Sequence, residues 1–206
     1  MKKSLVFLFC LWAGLCASQT VIETKFGVFF PDPTYTYNGL KFHPTINPPG
    51  MGLALGVTSG LGKKFTLGTE LGFVTFRNSL DIEMGNFRVN GEHFHQRFYA
   101  ALVPQFNLLQ KQDLGRVFIS AGPMLIMEST SEINSYTQSK PFDVGNIVYG
   151  SFAGIGANAQ LGKIGVQLEY RYAFRTSTKD LRSIDSPDQF SLRYGILVWS
   201  LTHHLN

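Results

Sequence analysis

The chain has 206 residues, a formal net charge of +4, 44% hydrophobic residues and only 16% charged ones, with 21 glycines and 18 phenylalanines. So apolar a composition excludes a disordered chain, and the length suits a single domain. No clustered basic stripe accompanies the positive balance, so no nucleic-acid partner is expected.

Residues 1–18 read as a secretory signal peptide, with Lys2 and Lys3 ahead of a short apolar run at 5–15 and small residues at Ala17 and Ser18 before the expected cut. The run is shorter than the roughly 20 residues of a membrane-spanning helix. Acylation at Cys16 is disfavoured because Leu15 stands where a small residue is required. Both cysteines, Cys10 and Cys16, fall in this segment. The exported part, residues 19–206, therefore has no disulfide and no thiol chemistry.

From residue 21 onward the sequence alternates with period two in eight stretches bounded by turn residues. The first, 21–30, carries Ile22, Phe26, Val28 and Phe30 on one face. The second, 51–59, sets Met51, Leu53, Leu55 and Val57 against Gly52, Ala54, Gly56 and Thr58. In the third, 64–76, Phe65, Leu67, Leu71 and Phe73 oppose Thr66, Gly68, Glu70 and Gly72. The fourth, 94–108, has Phe98, Ala100, Leu102, Phe106 and Leu108 on the apolar side. In the fifth, 116–128, Val117, Ile119, Ala121, Leu125 and Met127 face one way, and Phe118, Ser120, Gly122, Met124, Ile126 and Glu128 the other. The sixth, 147–160, is rich in glycine, and its periodicity leaves inside and outside open.

The seventh, 164–175, alternates without a fault: Ile164, Val166, Leu168, Tyr170, Tyr172 and Phe174 on one face, Gly165, Gln167, Glu169, Arg171, Ala173 and Arg175 on the other. Such a ribbon reaches about 40 Å at roughly 3.3 Å per residue, enough to cross a bilayer core even when tilted. The eighth, 189–201, splits into Tyr194, Ile196 and Val198 against Arg193, Gly195, Leu197 and Trp199, again with its phase open.

Short links at 60–63, 109–115 and 161–163 alternate with connections of about 20, 17, 18 and 13 residues at 31–50, 77–93, 129–146 and 176–188. All the long connections then fall at one end of an up-and-down sheet, as in transmembrane barrels with long external loops and short periplasmic turns. Lipid offers backbone groups no hydrogen bonds, so spanning strands must close into a cylinder. The expected fold is all-β, an eight-stranded antiparallel up-and-down transmembrane barrel whose narrow interior is filled by side chains. Gly52, Gly56, Gly68, Gly72, Gly122 and Gly165 make room there for bulky polar neighbours.

The lumen is expected to hold a structural polar network of Glu70, Arg97, Glu128, Glu169, Arg171 and Arg175, centred on Glu169 and Arg171, because charges removed from water must be paired. Aromatic girdles are expected at both interfaces. Phe29, Phe30, Phe76, Phe94, Tyr149, Tyr172, Phe174 and Phe190 would serve the outer one, and Phe65, Phe106 and Trp199 the inner one.

Three segments then carry a resemblance: Ala101-Leu102-Val103-Pro104, the run 118–127 (FISAGPMLIM) with its Gly122-Pro123, and Glu169-Tyr170-Arg171-Tyr172. In these, and in its layout, the chain resembles the outer-membrane β-barrel domain family that includes PorT-like and OmpA-like small eight-stranded barrels. The resemblance implies an outer-membrane barrel and, from the PorT-like members, a link to a secretion and gliding apparatus. The chain departs from outer-membrane strands that finish on an aromatic, since it ends Leu201-Thr-His-His-Leu-Asn206.

Some eight-stranded barrels modify lipid A, which requires a nucleophile, a histidine and an orienting carboxylate in mutual reach. His93 and His95, with Ser79, Asp81 or Glu83 across the connection, are the candidates. They lack a recognisable hydrolase signature, and two imidazoles fall short of a zinc site; the histidines read as solvated groups at a loop base, and His203 and His204 as a polar tail. The resulting expectation is a non-enzymatic outer-membrane protein without catalytic residues, metal or other cofactor. It meets outer-membrane lipid and offers Tyr35, Tyr37, Phe42 and Tyr136 on long loops to protein partners. A soluble exported barrel of the lipocalin kind is the alternative for the fold.

Overall fold

The computed structural model describes residues 20–37, 40–43, 48–62, 64–84, 87–111, 115–133, 146–174, 179–180 and 189–205. The expected signal peptide, Arg175 and Tyr136 lie outside them. Among the described residues there are ten strands: β1 (Thr20–Tyr37), β2 (Leu40–Phe42), β3 (Gly50–Gly60), β4 (Phe65–Met84), β5 (Phe87–Lys111), β6 (Gly115–Ile133), β7 (Asn146–Leu161), β8 (Ile164–Phe174), β9 (Lys179–Asp180) and β10 (Gln189–Leu205). Eight of them are staves, each antiparallel to its neighbours in the order β1-β3-β4-β5-β6-β7-β8-β10, and β1 pairs with β10 from Thr20↔Leu205 to Thr36↔Gln189 to close the cylinder. The short β2 and β9 extend the sheet beside the outer parts of β1 and β10.

The polarity of this cylinder is inverted relative to a soluble protein. Along β8 each odd residue is buried and each even one exposed up to Tyr170: Glu169 is 0% exposed while Leu168 beside it is 45% exposed. On β3, Met51, Leu53, Leu55 and Val57 all face outward and Gly52, Ala54, Gly56 and Thr58 inward. A water-soluble lipocalin-like barrel would bury the opposite set, because exposing so contiguous an apolar surface to water is unfavourable.

The phases left open by periodicity are fixed by the register. On β7, Phe152 is buried and Ile155 faces outward; on β10, Tyr194, Ile196 and Val198 line the lumen and Trp199 and Leu201 face outward. These inward apolar residues belong to a cluster that includes Phe29, Val74, Phe76, Met124, Ile126 and Phe152. The lumen is thus polar only in part, and much of its long-connection side is filled with aromatic and aliphatic groups. Phe29 and Phe76 are buried there, so they are not girdle residues as expected. Phe30, Tyr149, Phe174, Phe65, Phe106 and Trp199 do face outward. Phe94 and Tyr172 are half-buried, with the Arg77 guanidinium 5.6 Å from the Phe94 ring.

The long connections are also corrected. The ladder between β4 and β5 runs on through Asp81↔Asn90 to Met84↔Phe87, so residues 77–93 form a hairpin rather than a loop. Tyr35 and Tyr37 lie in β1 and Phe42 in β2. Residues 79–90 keep period two: Leu80, Ile82 and Met84 alternate with Ser79, Asp81 and Glu83, and Ile82 and Met84 pair with Val89 and Phe87 while Asp81 and Glu83 pair with Asn90 and Arg88. The wall consequently rises in two sections: β4–β5–β6, where pairing reaches Glu92↔Ile133, and β1–β10 with its short flanking strands. Between them β3 stops at Gly50 and β8 at Phe174.

The segments that carry the family resemblance have a packing explanation. Pro104 and Pro123 cannot donate to a ladder, and pairing between β5 and β6 lapses from Ala101↔Met124 to Gln105↔Ser120. The strands close this gap by direct approach: a Cβ at Gly122 would collide with the Leu102 carbonyl and sit 3.1 Å from Pro104 Cδ.

Candidate functional site

Period two places Gln167, Glu169 and Arg171 on one face of β8, aimed into the lumen. There Arg171 meets Glu70 from β4. Its Nη1 donates to both carboxylate oxygens at 3.0 Å, its Nη2 donates to Glu169 Oε2 at 2.9 Å, and its Nε lies 2.8 Å from Glu169 Oε1. Ser120 Oγ donates to Glu169 Oε1 at 2.5 Å and Gln167 Nε2 to Glu169 Oε2 at 3.3 Å. Tyr99 Oη donates to Glu70 Oε1 at 2.6 Å. On the other side Lys25 Nζ donates to Glu70 Oε2 at 2.7 Å and stands 2.7 Å from Glu23 Oε2, while Thr58 Oγ1 donates to Glu23 Oε1 at 2.9 Å. β1, β3, β4, β5, β6 and β8 are thereby tied across the lumen. All the ionic members are at most 3% exposed.

Of the residues expected in a polar network, Glu70, Glu169 and Arg171 are brought together. Arg97 is buried but lies elsewhere, its guanidinium 5.5 Å from the Phe76 ring and 5.7 Å from the Tyr194 ring. Glu128 stands opposite Arg97 in the ladder, though its side chain is outside the described residues. Glu23, Lys25 and Tyr99 were not singled out from the sequence. The signal for the first two was present: parity with Gly27 puts both opposite the outward Ile22 and Phe26. Room for Tyr99 comes from Gly72, where any Cβ would overlap the tyrosine ring.

Toward the short turns the lumen opens into a polar cavity of about 190 Å³, lined by Glu23, Thr58, Asn107, Arg116, Asn158 and Thr202 among others. Arg116 Nη2 donates to Gln105 Oε1 at 3.0 Å. His204 lines the same cavity and His203 pairs with Ile22, so both belong to β10 rather than to a tail.

The histidine candidates do not assemble. His95 is buried and stacked on Phe76, with ring centroids 4.5 Å apart, instead of standing solvated at a loop base. It pairs with Phe76 and His93 with Asn78, whereas Ser79, Asp81 and Glu83 pair with Glu92, Asn90 and Arg88. Directly paired residues share a face, so the proposed nucleophile and carboxylates occupy the opposite face of the sheet from both histidines. Among the described residues no group of three or more potential metal ligands converges.

Neither a protein-family model nor a curated protein sequence matches the chain. Solved structures do. Outer membrane protein AlkL, determined in lipid bilayers, is 11% identical, with 92% of this chain and 90% of that one covered at a TM-score of 0.57. Neisserial surface protein A is 10% identical, with 88% and 96% covered at 0.52. The fold is that of small outer-membrane β-barrels. At such identities the likeness extends to the fold alone.

Proposed function

We propose that this chain is an integral outer-membrane protein of Gram-negative type, exported through a cleaved signal peptide comprising residues 1–18. Its barrel is a sealed, non-enzymatic support for structures on the outer surface. The observation that carries this reading is the inverted cylinder with a closed lumen: Arg171, Glu70, Glu169 and Lys25 lock across it, and aromatic side chains fill the space above. A lumen so occupied offers solutes no through-route, which leaves the raised wall as the surface available to partners. That surface includes the outer hairpin of β4 and β5 and the outer ribbon of β1 and β10.

Two measurements test the reading. In planar lipid bilayers the purified barrel is expected to give no steady conductance; a well-resolved open channel would refute the sealed lumen. A peptide tag inserted between Gly85 and Asn86 is expected to be labelled on intact cells. The same tag between Gly162 and Lys163 should require a permeabilised outer membrane. Labelling in the reverse order would invert the proposed orientation.

A role in protein secretion, implied by the PorT-like resemblance, is the second reading. The residues around Pro104, Gly122 and Pro123 that suggested it are accounted for by the β5–β6 contact. An unchanged secreted-protein profile after deletion of the chain would count against this role.

A further inference from the structure

The three short turns repeat one pattern: Leu61-Gly62-Lys63, Leu109-Gln110-Lys111 and Leu161-Gly162-Lys163, each a leucine followed two residues later by a lysine. The barrel itself does not require this. In all three turns the leucine faces out of the barrel: Leu61 is 47% exposed, Leu109 69% and Leu161 84%. Leu109 reaches that orientation through a register shift between Asn107 and Leu109. Residue 107 is buried, and both Leu108 and Leu109 then face outward where strict alternation would have turned 109 inward. Lys64 and Lys163 are exposed on the same rim, which is continuous with the apolar outer wall through Phe65, Ile164 and Leu205.

We infer that the short-turn rim is a lipid-binding collar. Each leucine inserts among acyl chains, and the lysine two residues further on engages the phosphate of an anionic phospholipid in the adjacent leaflet. The inference rests on the membrane reading of the barrel. The occupant follows from chemistry: exposed leucines together with the exposed Lys64 and Lys163 at the edge of an apolar outer wall match a molecule that is apolar on one side and anionic on the other. Long cationic side chains near such an edge extend toward the headgroups. Each turn is expected to contribute a preference for anionic over zwitterionic lipid of about fivefold, the equivalent of ~1 kcal/mol per lysine near an anionic surface.

Trp199 faces outward and packs against Phe26 with ring centroids 6.1 Å apart, so it reports lipid at the wall. The test uses the mature chain, residues 19–206, in which Trp199 is the single tryptophan, refolded into vesicles containing brominated phosphatidylglycerol or brominated phosphatidylcholine. The expected result is stronger quenching of Trp199 by the anionic lipid at equal mole fraction. That preference should be lost when Lys63, Lys64, Lys111 and Lys163 are all changed to Gln, and kept when Lys41 on β2 is changed instead. Equal quenching by both lipids in the parent protein, or a preference that survives the fourfold change, would overturn the collar. Absence of quenching by either lipid would instead show that the wall does not meet acyl chains, and the membrane reading would fail with it.

Discussion

Replacing Arg171 by methionine is expected to destabilise the barrel by about 3–5 kcal/mol, because it leaves Glu70 and Glu169 in the lumen without their shared cation. Arg171 Nη1 reaches both Glu70 oxygens at 3.0 Å, while its Nη2 and Nε pair with Glu169. Lys25 remains beside Glu70 and Ser120 beside Glu169, but neither spans the two carboxylates. The intact network need not add much net stability, since desolvation of its charges offsets most of their attraction. The discriminating control follows from that balance. Arg171→Met combined with Glu70→Gln and Glu169→Gln removes the unpaired charges and should recover most of the loss. Urea unfolding in phospholipid vesicles measures both. A single variant within about 1 kcal/mol of the parent, on the scale of an ordinary hydrogen bond, would show that the network does not hold the staves together.

Leu71→Arg separates a lipid-facing wall from a water-facing one. Leu71 is 68% exposed, and its ladder partners Leu55 and Ala100 also lie on the outer face. It adjoins Glu70, and so lies at the height of the lumen network. In water a surface change of this kind shifts stability by no more than about 0.5 kcal/mol either way. In a bilayer an arginine near the midplane costs about 2–4 kcal/mol. The expected outcome is therefore a loss of that size in vesicles, with Lys41→Arg on the outer rim as a neutral comparison. A neutral Leu71→Arg would contradict the inverted polarity from which the proposed function is drawn.

These two predictions were legible in the sequence to different degrees. The outward set on β3, β4, β5, β6 and β8 was readable because a bilayer imposes a strict demand on every second residue. Leu71, Leu168 and Ile119 could be placed before any coordinates. On β7 and β10 the demand is blurred: glycine fits either face of β7, and the inner face of β10 carries Tyr194, Ile196 and Val198, as apolar as its outer face. Only pairing with β8 and β1 sets their phase. The outer extension of β4 and β5 differs: Leu80, Ile82 and Met84 alternate with Ser79, Asp81 and Glu83 as a strand requires, but the Asn, Ser and Asp content of the stretch reads as a connection.

Within the lumen, parity gave membership and not partnership. Glu70, Glu169 and Arg171 could be assigned to the interior one residue at a time. That Arg171 reaches across 101 positions of sequence to Glu70, while Arg97 sits between Phe76 and Tyr194, depends on where closure of the barrel places each stave.

By itself, then, the sequence determined the class of fold, the eight staves of the barrel and most of the lipid-facing surface, because those follow from a local rule repeated every two residues. The tertiary structure alone decided which charges neutralise one another, where the lumen turns from polar to aromatic, and how far the wall rises. Those outcomes depend on distances between strands far apart in the chain, which no local period encodes.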